Sequence, residues 1–223
     1  MFSANLNKIE YFSKVSLSKL GAALFSLAIF SFGCATVPEH SGTAAHYVDP
    51  GQQSEVSGVG LESQDIINMT DKMMHDILAT PIFSKPKTPP KVIIDSEYFK
   101  NESSTRINKN MITDRLRTGL NQAARGKMIF VGREYMNMVL KELQLKQLGV
   151  INEGESASEP KAYGGDFRLG GRISTLDSVN PKTGSFARYH QILFEMIDLN
   201  TGEIVWSGSY NFKKVGQEDI IYR

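Results

Sequence analysis

A single cysteine, Cys34, closes an apolar run from Leu20 to Phe32, and the 223 residues hold no other. No internal disulfide is therefore available, and any fold must hold itself together by packing. Lys8, Lys14 and Lys19 precede the run. A basic segment, a short apolar stretch and a small residue before a cut site make an export signal. The run falls well short of the ~20 residues that a spanning helix needs. Cys34 is read as the lipid acceptor of a bacterial lipoprotein, which makes residues 1–33 the signal peptide and Cys34 the first mature residue. Gly33 suits the position before it, while Ser31 stands where Leu, Val or Ile is usual. Ala35 after the cysteine fits sorting to the outer membrane, facing the periplasm. The alternatives are an ordinary membrane anchor, or a cleaved secretory signal that leaves an incidental thiol.

The chain carries 25 basic and 24 acidic residues. Lys8, Lys14, Lys19 and Glu10 fall within residues 1–33, so the remainder holds 22 basic against 23 acidic, a formal charge of −1. That balance lacks the broad basic field of a nucleic-acid binder, and no nucleic-acid partner is expected.

Residues 34–60 lack apolar periodicity and are rich in Gly, Ser and Gln. They read as a flexible tether, with a fully extended reach on the order of 80–90 Å and a relaxed span of ~30 Å. A globular domain is expected over 61–216, followed by a short extension at 217–223. Ile66, Thr70, Met73, Met74, Ile77 and Leu78 recur at helical spacing, with Ser63 as N-cap and Pro81 as the stop. The two methionines are expected to fill core gaps. Residues 81–90 form a proline-rich connector. Lys91 to Asp95 reads as a buried strand, followed by a loop at Asn101, Ser103, Ser104 and Thr105. A helix follows through Ile107, Met111, Ile112, Leu116, Leu120 and Ala123, closed by Gly126. Lys127 to Val131 is a second strand. Met136, Val139, Leu140 and Leu143 mark a third helix, closed by Gly149. This alternation predicts parallel pairing with right-handed crossovers.

The last third changes character. Glu153 to Tyr163 is polar and reads as loop. Asp166 to Thr175 reads as a strand with Gly170 and Gly171 inside it, where glycines mark a bulge or a close backbone approach. Residues 187–198 and 203–213 alternate, and Leu199 to Gly202 forms a tight turn between them. Ile204, Trp206, Tyr210 and Phe212 share one face of the last strand, which is expected to meet the core. The fold class is α/β: a mixed β-sheet with helices packed on it and a C-terminal antiparallel hairpin.

Chemistry-bearing patterns are sparse. His40 and His46 lie in the tether, His75 on a helix and His190 in a strand, with no pair at metal-ligand spacing in one element. No metal and no cofactor is expected. There is no G-x-S-x-G and no P-loop. Asp95 sits at a strand end, where α/β enzymes often carry a catalytic carboxylate, but it also suits capping of the next loop. An enzyme is not expected. Lys85, Lys87 and Lys91 read either as a solvated connector or as an electrostatic dock for an acidic partner.

Gly165-Asp-Phe-Arg-Leu-Gly-Gly-Arg-Ile-Ser174 and Phe194-Glu-Met-Ile-Asp-Leu-Asn-Thr-Gly-Glu-Ile-Val-Trp-Ser-Gly208 resemble the LpoB-type lipoproteins, activators of class A penicillin-binding proteins. The resemblance takes in the cysteine, the tether, the helix before Pro81, the segment from Asp95 to Leu120 and the final hairpin. It implies an outer-membrane lipoprotein whose domain is similar to the N-terminal domain of TolB and which binds and stimulates a peptidoglycan synthase. A class A penicillin-binding protein is thus the expected partner, with the membrane reached through the lipid on Cys34. The second reading is an envelope-structural or secretion-associated lipoprotein of related periplasmic fold, acting as an oligomer. Within the hairpin, Asp198, Thr201 and Gly202 are expected to build the turn while Ile204 and Trp206 fill the core.

The candidate docking residues are Asn101, Ser103, Arg106 and Asn108. They lie on a polar loop between a strand and a helix, and loops on rigid scaffolds commonly carry recognition. The competing reading is a solvated loop in which Asn101 and Ser103 only cap.

Overall fold

A computed structural model describes residues 45–151 and 162–216. Cys34 and the signal, most of the tether, most of the polar loop after Gly149 and the 217–223 extension lie outside the described residues. The chain divides after Tyr47, and the architecture below is that of the unit beginning at Val48.

The elements run α1 (Ser63–Ala79), α2 (Pro81–Ser84), β1 (Lys91–Ile93), β2 (Phe99–Glu102), α3 (Lys109–Ala124), β3 (Ile129–Phe130), a 3-10 turn (Arg133–Tyr135), α4 (Met136–Gln147), β4 (Phe167–Val179), β5 (Phe186–Asp198) and β6 (Ile204–Gly216). The sheet order is β3-β1-β4-β5-β6, with β2 also paired to β4. β1 runs parallel to β3 and to β4, and β2 runs parallel to β4. β4, β5 and β6 are antiparallel in succession. This is the expected mixed α/β sheet with its C-terminal hairpin.

Met69, Met73 and Ile77 of α1 are buried at four-residue spacing, as are Ile112, Leu116, Leu120 and Ala124 of α3. These stripes pack over Ile173, Ile192, Phe194 and Met196 of the sheet in one core. Met73 fills the core as expected, while Met74 is half-buried. The N-cap of α1 is Glu62 rather than Ser63. Glu62 and Asp65 form a reciprocal capping box, and the Ser63 hydroxyl instead donates to the Pro50 carbonyl at 2.8 Å. The connector after Ala79 is not bare linker. Pro81 opens α2 at a position where its missing N–H costs nothing, and Phe83 is buried edge-on to Phe167, with ring centroids 5.4 Å apart.

β2 is a strand where a loop is expected, and Asn101 belongs to it. Phe99 is its only apolar residue. The strand exists because Phe99 stacks on Phe194 at 4.9 Å while its backbone pairs with Gly171 to Ser174. Gly171 is required there. A Cβ would sit 2.2 Å from the Leu193 carbonyl oxygen and 2.9 Å from the Phe99 ring.

α4 departs from expectation. No residue in it is buried, and Met138 and Leu140 are 66% and 52% exposed. It follows β3, a two-residue strand at the sheet edge, so little sheet surface lies beneath it. Ile204 is also exposed. A register shift at Met196/Ile197 pairs Ile197 with Ile204 but Met196 with Trp206, so Val205 is a bulged residue and the alternation slips by one. Trp206, Tyr210 and Phe212 pack against the core as expected. The turn forms as expected too: Asp198 Oδ1 accepts from the N–H groups of Asn200 and Thr201, and Gly202 has φ +80°.

The segment before α1, expected to be tether through residue 60, is instead tied to the sheet at its end. Val59 and Gly60 are buried. The buried His190 ring stacks on Phe212 at 4.5 Å, and its Nε2 lies 2.7 Å from the Val59 carbonyl oxygen. That oxygen only accepts, so Nε2 carries the proton. Nδ1 is buried without a partner among the described residues. Burial pushes the His190 pKa down, against the raising effect of the Val59 bond. Lys214 Nζ reaches Asp65 at 2.6 Å, Gly60 O at 3.0 Å and Glu62 at 3.3 Å.

Candidate partner-docking surface

The loop after β2 is largely self-satisfied. Asn101 Oδ1 accepts from the Ser103 N–H at 3.1 Å and from its hydroxyl at 2.6 Å, and Asn101 Nδ2 donates to Thr105 O at 2.8 Å. The Ser104 N–H donates to Thr175 Oγ1, and its hydroxyl donates to Asp177 at 3.1 Å. Asp177 in turn takes two hydrogen bonds from the buried Arg188, at 2.7 and 2.9 Å. These hydrogen bonds hold the Asp177 carboxyl below its usual range. Asn108 caps α3, accepting from the Asn110 N–H at 3.1 Å. Of the four candidate residues, Asn101, Ser103 and Asn108 therefore spend polar atoms on shaping the loop. Arg106 is exposed and makes no hydrogen bond or ion pair among the described residues. The loop presents one free cation on a rigid frame.

Beyond the loop, Asp95 is not a free carboxylate. It accepts from Arg168 at 2.8 and 3.0 Å, Glu97 binds the same guanidinium, and the Tyr98 ring lies 4.4 Å below it. The arrangement joins the Asp95–Tyr98 segment to β4 and explains Asp95 structurally. Arg117 likewise joins Asp114, Glu134 and the Ile94 carbonyl. Lys91 Nζ lies over the Tyr163 ring at 4.9 Å. Among the described residues, no group of three or more His, Cys, Asp or Glu is placed to hold a metal.

A groove of about 970 Å³ runs between α1 and α3, lined by Asp71, Met74, Arg115, Gly119, Arg125 and Lys127 among others. Arg115 crosses it, donating to Thr70 Oγ1 at 2.8 Å and to Asp71 at 3.2 Å. The helices approach closely at Gly119, where a Cβ would stand 3.1 Å from Met74 Sδ. At the end of α3, Arg125 itself takes the left-handed cap, with φ 48° and ψ 46°, and Gly126 follows at φ +82°. The cap expected at Gly126 is taken by Arg125, and Lys127 follows Gly126 as a second cation. The available signal was Arg125-Gly126-Lys127 directly after an amphipathic helix.

Fold and surface define a class: a helix-backed, mixed-sheet α/β domain with an open groove between two of its helices. Within that class, the chain belongs to the peptidoglycan-synthase activator LpoB family, whose model matches residues 65–212. Among solved structures, it is similar to the LpoB C-terminal domain from Salmonella enterica, with 22% identity, 69% of this chain and 96% of that one covered, and a TM-score of 0.34. The LpoB C-terminal domain from Escherichia coli gives 20% identity, 66% and 94% coverage, and 0.33. A lipoprotein from Neisseria meningitidis gives 18%, 57% and 84%, and 0.30. No curated protein sequence matches.

Proposed function

We propose that this protein is an outer-membrane lipoprotein, lipidated at Cys34, whose domain binds a class A penicillin-binding protein and raises its activity without catalysing a reaction itself. The observation that carries the reading is membership in the activator family across residues 65–212. The residues between Cys34 and the anchored Val59 supply the tether between lipid and domain, and the β2–α3 loop contributes Arg106 as a contact. Support for that contact is the loop's rigidity combined with the unpaired guanidinium.

The decisive experiment combines the full chain in detergent with a cognate class A synthase and follows glycan polymerisation. The chain alone is expected to be inert and to raise the synthase rate when added. No binding to any class A synthase overturns the reading. Arg106→Ala is expected to weaken binding with little change in melting temperature, and unaltered affinity would move the contact elsewhere. Cys34→Ser is expected to abolish labelling with palmitate. A variant that still labels and still fractionates with the outer membrane overturns the anchor.

A further inference from the structure

We propose that the groove between α1 and α3 receives an extended acidic segment of the synthase partner, anchored by Arg125 and Lys127. The assignment rests on the synthase reading above and adds a second contact, at the opposite end of α3 from Arg106.

Three observations converge. The first is shape. The groove is the size of a ligand site, about 970 Å³, but it lies open between two helices. Small-molecule sites enclose most of the ligand, whereas an open furrow along helices suits a length of chain. Its lining mixes small residues, Gly119 and Ala123, with Met74 and the exposed Thr118 and Gln122.

The second is charge. Both acids in the lining are already matched: Asp71 pairs with Arg115, and Asp114 with Arg117. Arg125 and Lys127 are exposed and carry no ion pair among the described residues. The unmatched charge of the groove is therefore positive. Charges of one sign at a contact select and steer a partner of the other.

The third is backbone cost. Among the described non-glycine residues, Arg125 alone has a positive φ. The left-handed region disfavours a Cβ, and glycine is the usual occupant of such a cap. A cation near a helix C-terminus gains from the dipole, but a residue in the last helical turn gains that without leaving the right-handed region. Lys127 is outside the helix altogether. An acidic occupant gives both cations a partner and gives the strained position a use.

The test measures affinity of the full chain in detergent for the synthase at low and high salt. Arg125→Glu combined with Lys127→Glu is expected to weaken binding by about tenfold at low salt and to flatten its salt dependence. Arg125→Gly is expected to raise the melting temperature and yet weaken binding, a combination that a purely structural cap does not give. Thr118→Trp, which fills the groove from an exposed position, is expected to weaken binding with the fold intact. Wild-type binding that all three variants retain within about twofold overturns the groove and leaves the synthase reading standing. Absence of wild-type binding overturns both. Retained synthase binding with a change of oligomeric state would show that the groove seats a second copy, and would overturn the proposal.

Discussion

Strands β4, β5 and β6 each run 13 residues and pair nearly end to end, whereas β1, β2 and β3 span 3, 4 and 2 residues. The two halves of the sheet are held by different means. In the antiparallel half, continuous pairing carries an inward row of Ile173, Ile192, Phe194, Met196 and Tyr210 under the helices. In the parallel half, short strands are supplemented by side-chain ties. Arg168 joins Asp95 and Glu97, and Arg117 joins Asp114 and Glu134. That half ends in α4, which buries no residue. The contrast shows where stability resides, and which half is at liberty to present loops and charge.

The contrast breaks most readily at Gly171. Gly171→Ala places a methyl against the Leu193 carbonyl and the Phe99 ring, and is expected to cost about 3 kcal/mol or more by denaturant titration. A cost below ~1 kcal/mol would mean that β4 shifts readily against β5 and β2, and that the two halves are less distinct. Trp206→Ala comes next. Trp206 is half-buried and covers Gly208, so an expected loss of ~2–3 kcal/mol falls just under the range for a fully buried aromatic. Loss of synthase binding with stability unchanged would reassign Trp206 to a contact.

Acid sharpens the comparison further. The His190 pKa is lowered by burial, so its unfolded state binds the proton more readily. The stabilisation is fully present above the unfolded value of about 6.5 and is lost as pH falls through the lower folded value. Asp177, also lowered, acts the same way around and below the ordinary carboxylate range. Melting temperature is therefore expected to fall on mild acidification, and His190→Gln should flatten that first slope. A slope unchanged by the substitution would place the sensitivity elsewhere. The smallest effect belongs to α4. Met138→Gln and Leu140→Gln are each expected to stay within about ±0.5 kcal/mol. A larger loss would reveal packing that the exposed positions do not show.

Legibility from sequence follows the same division. The antiparallel half was readable because long alternating runs and a turn with Asp198 and Gly202 leave few arrangements. Even there, the bulge at Val205 was hidden, since one slipped residue leaves the composition of the strand unchanged, and Ile204 consequently moved to the surface. In the parallel half, helix periodicity located α1 and α3, but β2 was invisible. Its pairing is dictated by Phe194 and Gly171, both about 70 or more residues away, and not by its own four residues. α4 shows the converse failure: apolar spacing identifies a helix but not whether a sheet lies beneath it. At the candidate surface, the polar loop was found as a segment. Only geometry separates Arg106 from neighbours whose hydrogen bonds are spent internally. Nothing in composition distinguishes Arg125 from any other basic residue after a helix, because its backbone conformation is a three-dimensional fact.

Val59, held by His190 and followed by Lys214's bonds to Gly60, Glu62 and Asp65, is also the point at which a pull on the N-terminal chain would reach the domain. The chain N-terminal to Val59 meets the sheet at β5 and β6, two of its three 13-residue strands, before it enters α1. A pull from that side meets first the hydrogen bond from the buried His190 ring to Val59 and the Lys214 bond to Gly60, and then the ion pairs of Lys214 with Glu62, the N-cap of α1, and with Asp65 in its first turn. The joint acts as a strain relief, like the collar on a cable. Load applied from that side therefore falls on this joint before it reaches the groove between α1 and α3.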